Sequence, residues 1–273
     1  MMEEISVLMS IYIKEKVPYF IECVESLLSQ TYMPNEIVII KDGPLYPELD
    51  KCINKYREKF PDLFRIYQLE KNLGLGQALR YGITKCKNEF IARMDTDDVC
   101  RADRFQKQIE EFRKNKNLKI CGSYISEFDD DINNIISIRK VPLVHENIMK
   151  YQRRRSAFNH VTVMFKKSAV IEAGNYEHAL YMEDDVLWAR MLICNMNSMN
   201  IDESLVYVRT GIEMIRRRGG WNYLQCYKTA RKLMHNIGFI SYTDYLITVG
   251  LQLVVCIIPK SMRIWFFKNV LRR

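Results

Sequence analysis

Residues 5–44, ISVLMSIYIKEKVPYFIECVESLLSQTYMPNEIVIIKDGP, hold two short apolar runs with a helical pattern between them. The runs ISVLM (5–9) and IVII (37–40) are rich in β-branched residues, which predicts strands buried on both faces of a parallel sheet. Between them Phe20, Cys23, Val24, Leu27 and Leu28 recur at helical spacing, and Pro18 falls in the first turn of the helix they predict. That is one βαβ unit, and the pattern repeats. Leu49, Cys52, Ile53, Tyr56 and Phe60 form a second helical stripe, LFRIYQL (63–69) a third strand, Leu75, Leu79 and Ile83 another helix face, and FIARM (90–94) a fourth strand. The alternation predicts an α/β fold with a doubly wound sheet, which binds ligands at the C-terminal ends of its strands.

The polar residues just past those strands are therefore the candidate site. They are Ser10 and Tyr12, then Asp42 and Gly43, then Asn72 and Gly74, and last Asp95, Asp97 and Asp98. The last group follows Phe90, Ile91, Ala92 and Met94 directly. Carboxylates so crowded raise one another's pKa and persist as anions chiefly when a cation sits between them. The cluster thus asks for a positive partner.

Further along, RFQKQIEEF (104–112) predicts a helix, LKICGSYI (118–125) a strand, and FDDDINN (128–134) a turn or hairpin tip. NHVTVMFKKSAVIEAGNY (159–176) alternates before a helix ended by Gly174, and YMEDDVLWARML (181–192) leads acids into an apolar helix, where the helix dipole favours them. No repeat or low-complexity linker interrupts this order.

A hydrophobic content of 48% excludes disorder as the default, and 273 residues can bury a sizeable core. The eight cysteines are scattered singly, without zinc-ligand spacing or a disulfide framework, so a reducing compartment is expected. The acidic start MMEEISVLMSIY is unlike a secretory signal, and a cytoplasmic location follows as the expectation. Residues 209–273 hold 12 Lys/Arg against 2 Asp/Glu, so the net charge of +8 belongs to the C-terminal end. There, YLITVGLQLVVCIIP (245–259) is apolar for about 14 residues, short of the roughly 20 needed to cross a bilayer. KSMRIWFFKNVLRR (260–273) adds aromatic and basic residues, so attachment to an anionic membrane surface is expected, with a buried terminal helix as the alternative.

SVLMSIY, SLLSQTYMPNEIVIIKDGP, NLGLGQALRYGI, FIARMDTDDVCRADRFQKQ, NHVTVMFKKSAV, MEDDVLWARM and RRRGG, in this order, resemble the family 2 glycosyltransferases. These are the inverting, nucleotide-sugar-dependent enzymes of bacterial capsule, exopolysaccharide and O-antigen synthesis. The resemblance implies a GT-A fold: a nucleotide-sugar-binding half (1–115), an acceptor-binding and catalytic half of the same domain (116–220), and a helical basic segment (221–273). It implies transfer of a hexose from a UDP-sugar to a polyprenyl-diphosphate-linked oligosaccharide, at the inner face of the cell membrane and with no nucleic-acid partner. Galactose, glucose and N-acetylglucosamine all remain open as the sugar.

Residue by residue, the resemblance places the nucleobase on Asp42, although Asp-Gly is also a common turn pair. The metal motif Asp-x-Asp falls on Asp95-Thr96-Asp97, with Asp97 on Mn²⁺ or Mg²⁺, Asp95 on ribose or metal, and Asp98 open; a capping cluster is the plain alternative. Ser10, Tyr12 and Asn72 join the nucleotide side. The base is implied at Asp184, with Glu183 or Asp185 positioning it, against simple helix capping. Asp185-Val186 departs from the aromatic-then-acid pair of many relatives, which bears on acceptor contacts, and Ala102 replaces their proline. Arg217 and Arg218, in the run Arg216–Arg218, are implied to close over the diphosphate. His160 is either a sugar contact or structural, and Arg153–Arg155 are either an acceptor contact or a solvated surface.

Two rival readings accompany this one. DTDDV (95–99) also fits a phosphatase with an aspartyl nucleophile, which leaves Asp42 unexplained. The basic end alone fits a non-enzymatic membrane or nucleic-acid binding protein, yet the acidic cluster would repel a phosphate backbone.

Overall fold

The computed structural model describes residues 3–177, 179–210 and 220–258. Strands β1 (Ile5–Ile11), β2 (Glu36–Lys41), β3 (Phe64–Gln68) and β4 (Phe90–Arg93) alternate with helices α1 (Val17–Leu28), α2 (Pro47–Lys59) and α3 (Leu75–Lys85). The strands pair in parallel in the order β3-β2-β1-β4. Their apolar runs are continuous because both faces are covered. Val7, Met9, Ile37 and Ile39 pack with Phe20, Val24 and Leu27 of α1, whereas Leu8, Val38 and Ile40 pack on the opposite face with Ala78, Leu79 and Ile83 of α3.

Beyond β4 the sheet is mixed, so the doubly wound parallel reading holds only for the first four strands. The further elements are β5 (Val99–Cys100), α4 (Arg104–Lys114), β6 (Leu118–Phe128), β7 (Ile135–Arg139), α5 (His145–Gln152), a 3-10 turn (His160–Thr162), β8 (Met164–Lys166), α6 (Lys167–Glu172), α7 (Glu183–Ile193) and β9 (Asn197–Arg209). β8 runs antiparallel between β4 and β6, β9 lies parallel to β6, and β5 closes antiparallel on β9. Residues 129–134 form the expected hairpin tip between β6 and β7. Residues before and after position 116 thus share one sheet.

Helices α8 (Trp221–Asn236) and α9 (Tyr242–Ile257) follow. Tyr223, Tyr227 and Ala230 of α8 pack against Met182 and Val186 at the start of α7, and Ser241 caps α9 by accepting from the Asp244 N–H at 3.0 Å. Among the described residues, no helix is long and apolar enough to cross a membrane.

Candidate active site

β1 lies between β2 and β4, with Leu8 paired to Arg93 and Ile11 to Lys41. Ser10 and Tyr12 at its end are thereby flanked by Asp42 on one side and the acidic cluster on the other. Asp42 is buried, and its two carboxylate oxygens accept the backbone N–H groups of Leu73 (2.7 Å) and Gly74 (3.0 Å). Asn72 Nδ2 donates to the Asp42 carbonyl at 3.3 Å. The turn reading of KDGP is therefore realised: Gly43 has φ +90°, and a Cβ there would stand 2.8 Å from the Asn72 nitrogen. This turn delivers the loop that starts α3. A Cβ on Gly76 would meet Glu183 Cβ at 2.9 Å, so the first turn of α3 lies against the first turn of α7. A narrow cleft lined by Leu73, Gly74, Gly76, Leu180 and Glu183 marks that junction.

At the end of β4 the three aspartates have different surroundings. Asp95 is partly exposed and pairs with Arg93, whose Nη1 lies 2.5 Å from Asp95 Oδ1. Asp98 is buried and accepts the Arg209 N–H at 2.8 Å, so it ties β9 to this loop. Burial, then Asp97 and Asp95, push its pKa well up. Asp97 has no ion-pair partner among the described residues, and its pKa rises to about 7 through burial, Asp95 and Glu15. Glu15, in the loop after β1, takes a hydrogen bond from the Thr96 hydroxyl, and burial raises its pKa as well.

Buried polar side chains of α4 support this loop. Arg104 Nη2 donates to the Arg93 carbonyl at 2.9 Å, and Gln108 Nε2 donates to the carbonyls of Cys121 and Thr162, both at 2.8 Å. The Asp-x-Asp stretch is thus a braced strand end rather than the cap of α4. Asp103, not the cluster, stands at the N-cap of that helix.

Glu183, Asp184 and Asp185 open α7, where the helix dipole favours anions. The helix is fixed by Trp188, which is fully buried and packs on Phe158, His160 and Phe165. Burial, with Asp185 and Glu183 nearby, raises the Asp184 pKa to about 8. Asp185 Oδ1 accepts from Gln152 Nε2 at 2.9 Å. The ionised form of a carboxyl with its pKa raised this far is a stronger base than an ordinary carboxylate.

Between the two acidic groups lies Arg93, 1% exposed. Burial opposes its charge, but Asp95, Tyr176 and Asp98 outweigh that and hold its pKa above the ordinary value. His160 Nε2 and the Tyr176 hydroxyl are 2.8 Å apart, and burial plus the Arg93 charge push the His160 pKa well down. His160 is therefore a neutral ring committed to Tyr176, which favours its structural reading.

The carboxylate oxygens of Asp95 and Asp97 are of the kind a hard divalent cation takes, and Asp97 has no ion-pair partner of its own among the described residues. Among the described residues, no three acidic, His or Cys side chains gather into a complete metal cage. Such an ion would draw its remaining ligands from a bound phosphate group and water. Arg217 and Arg218 lie outside the described residues. Arg154 of the Arg153–Arg155 run pairs with Asp244 of α9 at 2.8 Å.

The sequence reasoning passed over Arg93, Glu15 and Tyr181. Arg93 had a signal, a charge inside a strand whose neighbours are all apolar. Glu15 sits in an ordinary charged loop, and Tyr181 is betrayed only by its backbone, at φ +68° two residues before Glu183.

A model of the family described as Glycosyl transferase family 2 matches residues 6–178. The UDP-Gal:alpha-D-GlcNAc-diphosphoundecaprenol beta-1,3-galactosyltransferase of Escherichia coli is 35% identical over 268 residues, covering 98% of this chain and 96% of that protein. The amylovoran biosynthesis glycosyltransferase AmsE of Erwinia amylovora is 39% identical over 244 residues, covering 88% and 90%. Among solved structures, a mannosyltransferase from Pyrobaculum calidifontis in complex with GDP-Man and Mn²⁺ shares the fold, with a TM-score of 0.62 at 12% identity over 96% of this chain and 78% of that one.

Proposed function

The chain belongs to glycosyl transferase family 2, and from that membership we propose that it transfers galactose from UDP-galactose to a polyprenyl-diphosphate-linked sugar in bacterial surface polysaccharide synthesis. The choice of galactose, over glucose or N-acetylglucosamine, rests on the E. coli relative, which matches nearly end to end. Membership in this family displaces the phosphatase reading of residues 95–99 and the non-enzymatic reading.

The observation that carries the mechanism is the pairing of two acidic groups on either side of Arg93: Asp95 and Asp97 at the end of β4, Glu183 and Asp184 at the start of α7. In this reading the donor lies across the strand ends, with its nucleoside near Ser10, Tyr12, Asp42 and Asn72. Asp42 spends two lone pairs on the loop and keeps two for a nucleobase N–H. Asp97, aided by Asp95, would hold Mn²⁺ or Mg²⁺, which when bound offsets the charge gathering on the departing diphosphate. Arg217 and Arg218 are placed on that diphosphate by sequence alone.

Asp184 takes the proton from the acceptor hydroxyl as its oxygen attacks the anomeric carbon from the face opposite the nucleotide. The new glycosidic bond forms as the bond to the UDP oxygen breaks, which inverts the anomeric centre. The charges of Glu183 and Asp185 raise the basicity of Asp184, and Asp185 is itself held by Gln152. The lipid tail of the acceptor keeps this chemistry at the inner face of the cell membrane.

Calorimetric titration with UDP, UDP-galactose, UDP-glucose and UDP-N-acetylglucosamine, with Mn²⁺ and then with a chelator, tests the reading. Metal-dependent binding of UDP and of UDP-galactose above the other sugars is expected. Silence toward every nucleotide would reject the donor class, and preference for another sugar would replace galactose.

A further inference from the structure

Helix α9 turns polar side chains toward the protein and leaves several large apolar ones uncovered. Its inward residues include Asp244, 8% exposed, and Thr248, 3% exposed. Asp244 pairs with Arg154, and the Thr248 hydroxyl accepts from Arg231 Nε at 3.1 Å and donates to the Asp244 carbonyl at 2.7 Å. The outward arc, three and four residues apart, carries Leu246, Gly250, Leu253, Val254 and Ile257. Leu246, Val254 and Ile257 leave 52%, 55% and 73% of their surface uncovered. A surface helix of a water-soluble protein normally shows the reverse pattern. This helix is built for a nonpolar surrounding on its outer side, and at 16 residues it is too short to cross a bilayer.

Charge selects the occupant. Between residue 220 and the C-terminus the only acid is Asp244, already paired. The exposed cations nearby are Lys228 and Lys232 on α8, and Arg153 and Arg155 on either side of the pair made by Arg154. The Arg153 carbonyl accepts from Arg231, which fastens this basic run to the same helix pair. A second copy of the chain seated on the face would bring two basic rims together with no acid to offset them. Residues 260–273 add five more basic residues and no acid to this end of the chain. An anionic bilayer surface supplies both the apolar phase and the opposite charge.

We propose that α9 lies flat on an anionic membrane, with Leu246, Leu253, Val254 and Ile257 among the acyl chains and the α8 and Arg153–Arg155 cations at the phosphate level. Tyr242, 60% exposed at the start of the helix, sits where an interfacial aromatic belongs. The face is joined to the chemistry through α8, which packs on α9 and on the first turn of α7. A lipid-borne acceptor would then meet Asp184 one helix away from the bilayer contact.

The test uses the full chain and no substrate, so it stands or falls apart from the transfer reaction. Co-sedimentation is measured with vesicles of phosphatidylethanolamine and phosphatidylglycerol, and with phosphatidylcholine vesicles. Binding to the anionic vesicles that weakens in salt is expected. L246E/V254E should reduce it by roughly tenfold or more, and L246A/V254A by less, with unchanged circular dichroism and melting. K228E/K232E should weaken binding to anionic vesicles and leave phosphatidylcholine unaffected. Absence of the full chain from every vesicle pellet overturns the proposal, as does vesicle binding that L246E/V254E leaves intact. A dimer in sedimentation velocity that L246E/V254E dissolves would assign the face to a second copy instead.

Discussion

Arg93 Nη1 stands 2.5 Å from Asp95 Oδ1, and the guanidinium is buried beneath a site crowded with carboxylates. Its Nε has no hydrogen-bond partner among the described groups, so the ion pair and the surrounding negative charge are what keep it there. Arg93 is a fixed internal cation for the acidic groups of both halves. R93M would leave those carboxylates facing one another without it. Breaking a buried pair in this way costs about 3–5 kcal/mol, and the partial exposure of Asp95 puts the expected loss at the lower end, about 3 kcal/mol. Urea denaturation measures it. R93K keeps the charge without the planar fork and should recover part of the stability; equal stability of R93M and the native chain would remove this role.

If Asp184 is the base, D184N should lower kcat by roughly 10²-fold or more while UDP-galactose binding by calorimetry stays within about twofold. A variant that lost donor binding and kept its rate on bound substrate would move the base elsewhere in the acidic turn.

The same residue sets a pH dependence. In the free protein Asp184 has its pKa raised to about 8, so kcat/KM should climb tenfold per unit below that pH and level off above it. D185N removes a neighbouring charge and should shift the limb to lower pH, without returning it to the ordinary carboxylate range because burial remains the larger cause. Linkage fixes the sign for stability too. An acid whose folded pKa exceeds its unfolded value of about 3.9 contributes stability below that value, and the contribution is lost as pH rises through about 8. D184N should therefore flatten the fall in melting temperature across that window; an unaltered slope would mean that Asp184 titrates normally.

Most of the fold's first half was legible because strands covered on both faces write themselves as uninterrupted apolar runs, as IVII does. β9 was not, since its 13 residues, NSMNIDESLVYVR, are mostly half-buried and show neither a clean run nor a clean alternation. α8 was expected only as part of the helical segment 221–273 that the resemblance implies, and a buried charge, Arg231, interrupts its inner stripe of Leu224, Ala230 and Met234. Within the site, the motif residues announced themselves by crowding. Arg93 was overlooked because an apolar run draws attention to its apolar members, when the one charge within it was the informative residue. The double duty of Asp42, and the contact of Gly76 with Glu183, depend on where loops distant in sequence come to rest, and no local pattern records that.

Gly76 supplies a test of how closely the two halves must fit. An alanine Cβ there would lie 2.9 Å from Glu183 Cβ and 3.2 Å from the Glu177 carbonyl oxygen, neither of which is the end of a flexible chain. G76A must push α3 and α7 apart at their first turns, at a cost of about 1–3 kcal/mol. Because Asp184 follows Glu183, kcat should fall further than stability explains, while G250A, on the open face of α9, should leave kcat unchanged and raise stability by about 0.5–1 kcal/mol, as alanine replaces glycine inside a helix. Full activity in G76A would show that the approach of the two helices is incidental.

Metal dependence can be read without turnover. Asp97 is the carboxylate with no cation of its own, so Mn²⁺ should raise the melting temperature of the native chain, and UDP added with Mn²⁺ should raise it further by mass action on the folded state. D97N should abolish the Mn²⁺ shift and the metal-dependent part of the UDP shift. It should also melt higher than the native chain in chelator, because removing one of several mutually repelling carboxylates relieves the folded state. A Mn²⁺ shift that survives in D97N would place the ion elsewhere, and a D97N protein less stable in chelator would mean that Asp97 serves the fold rather than a cation.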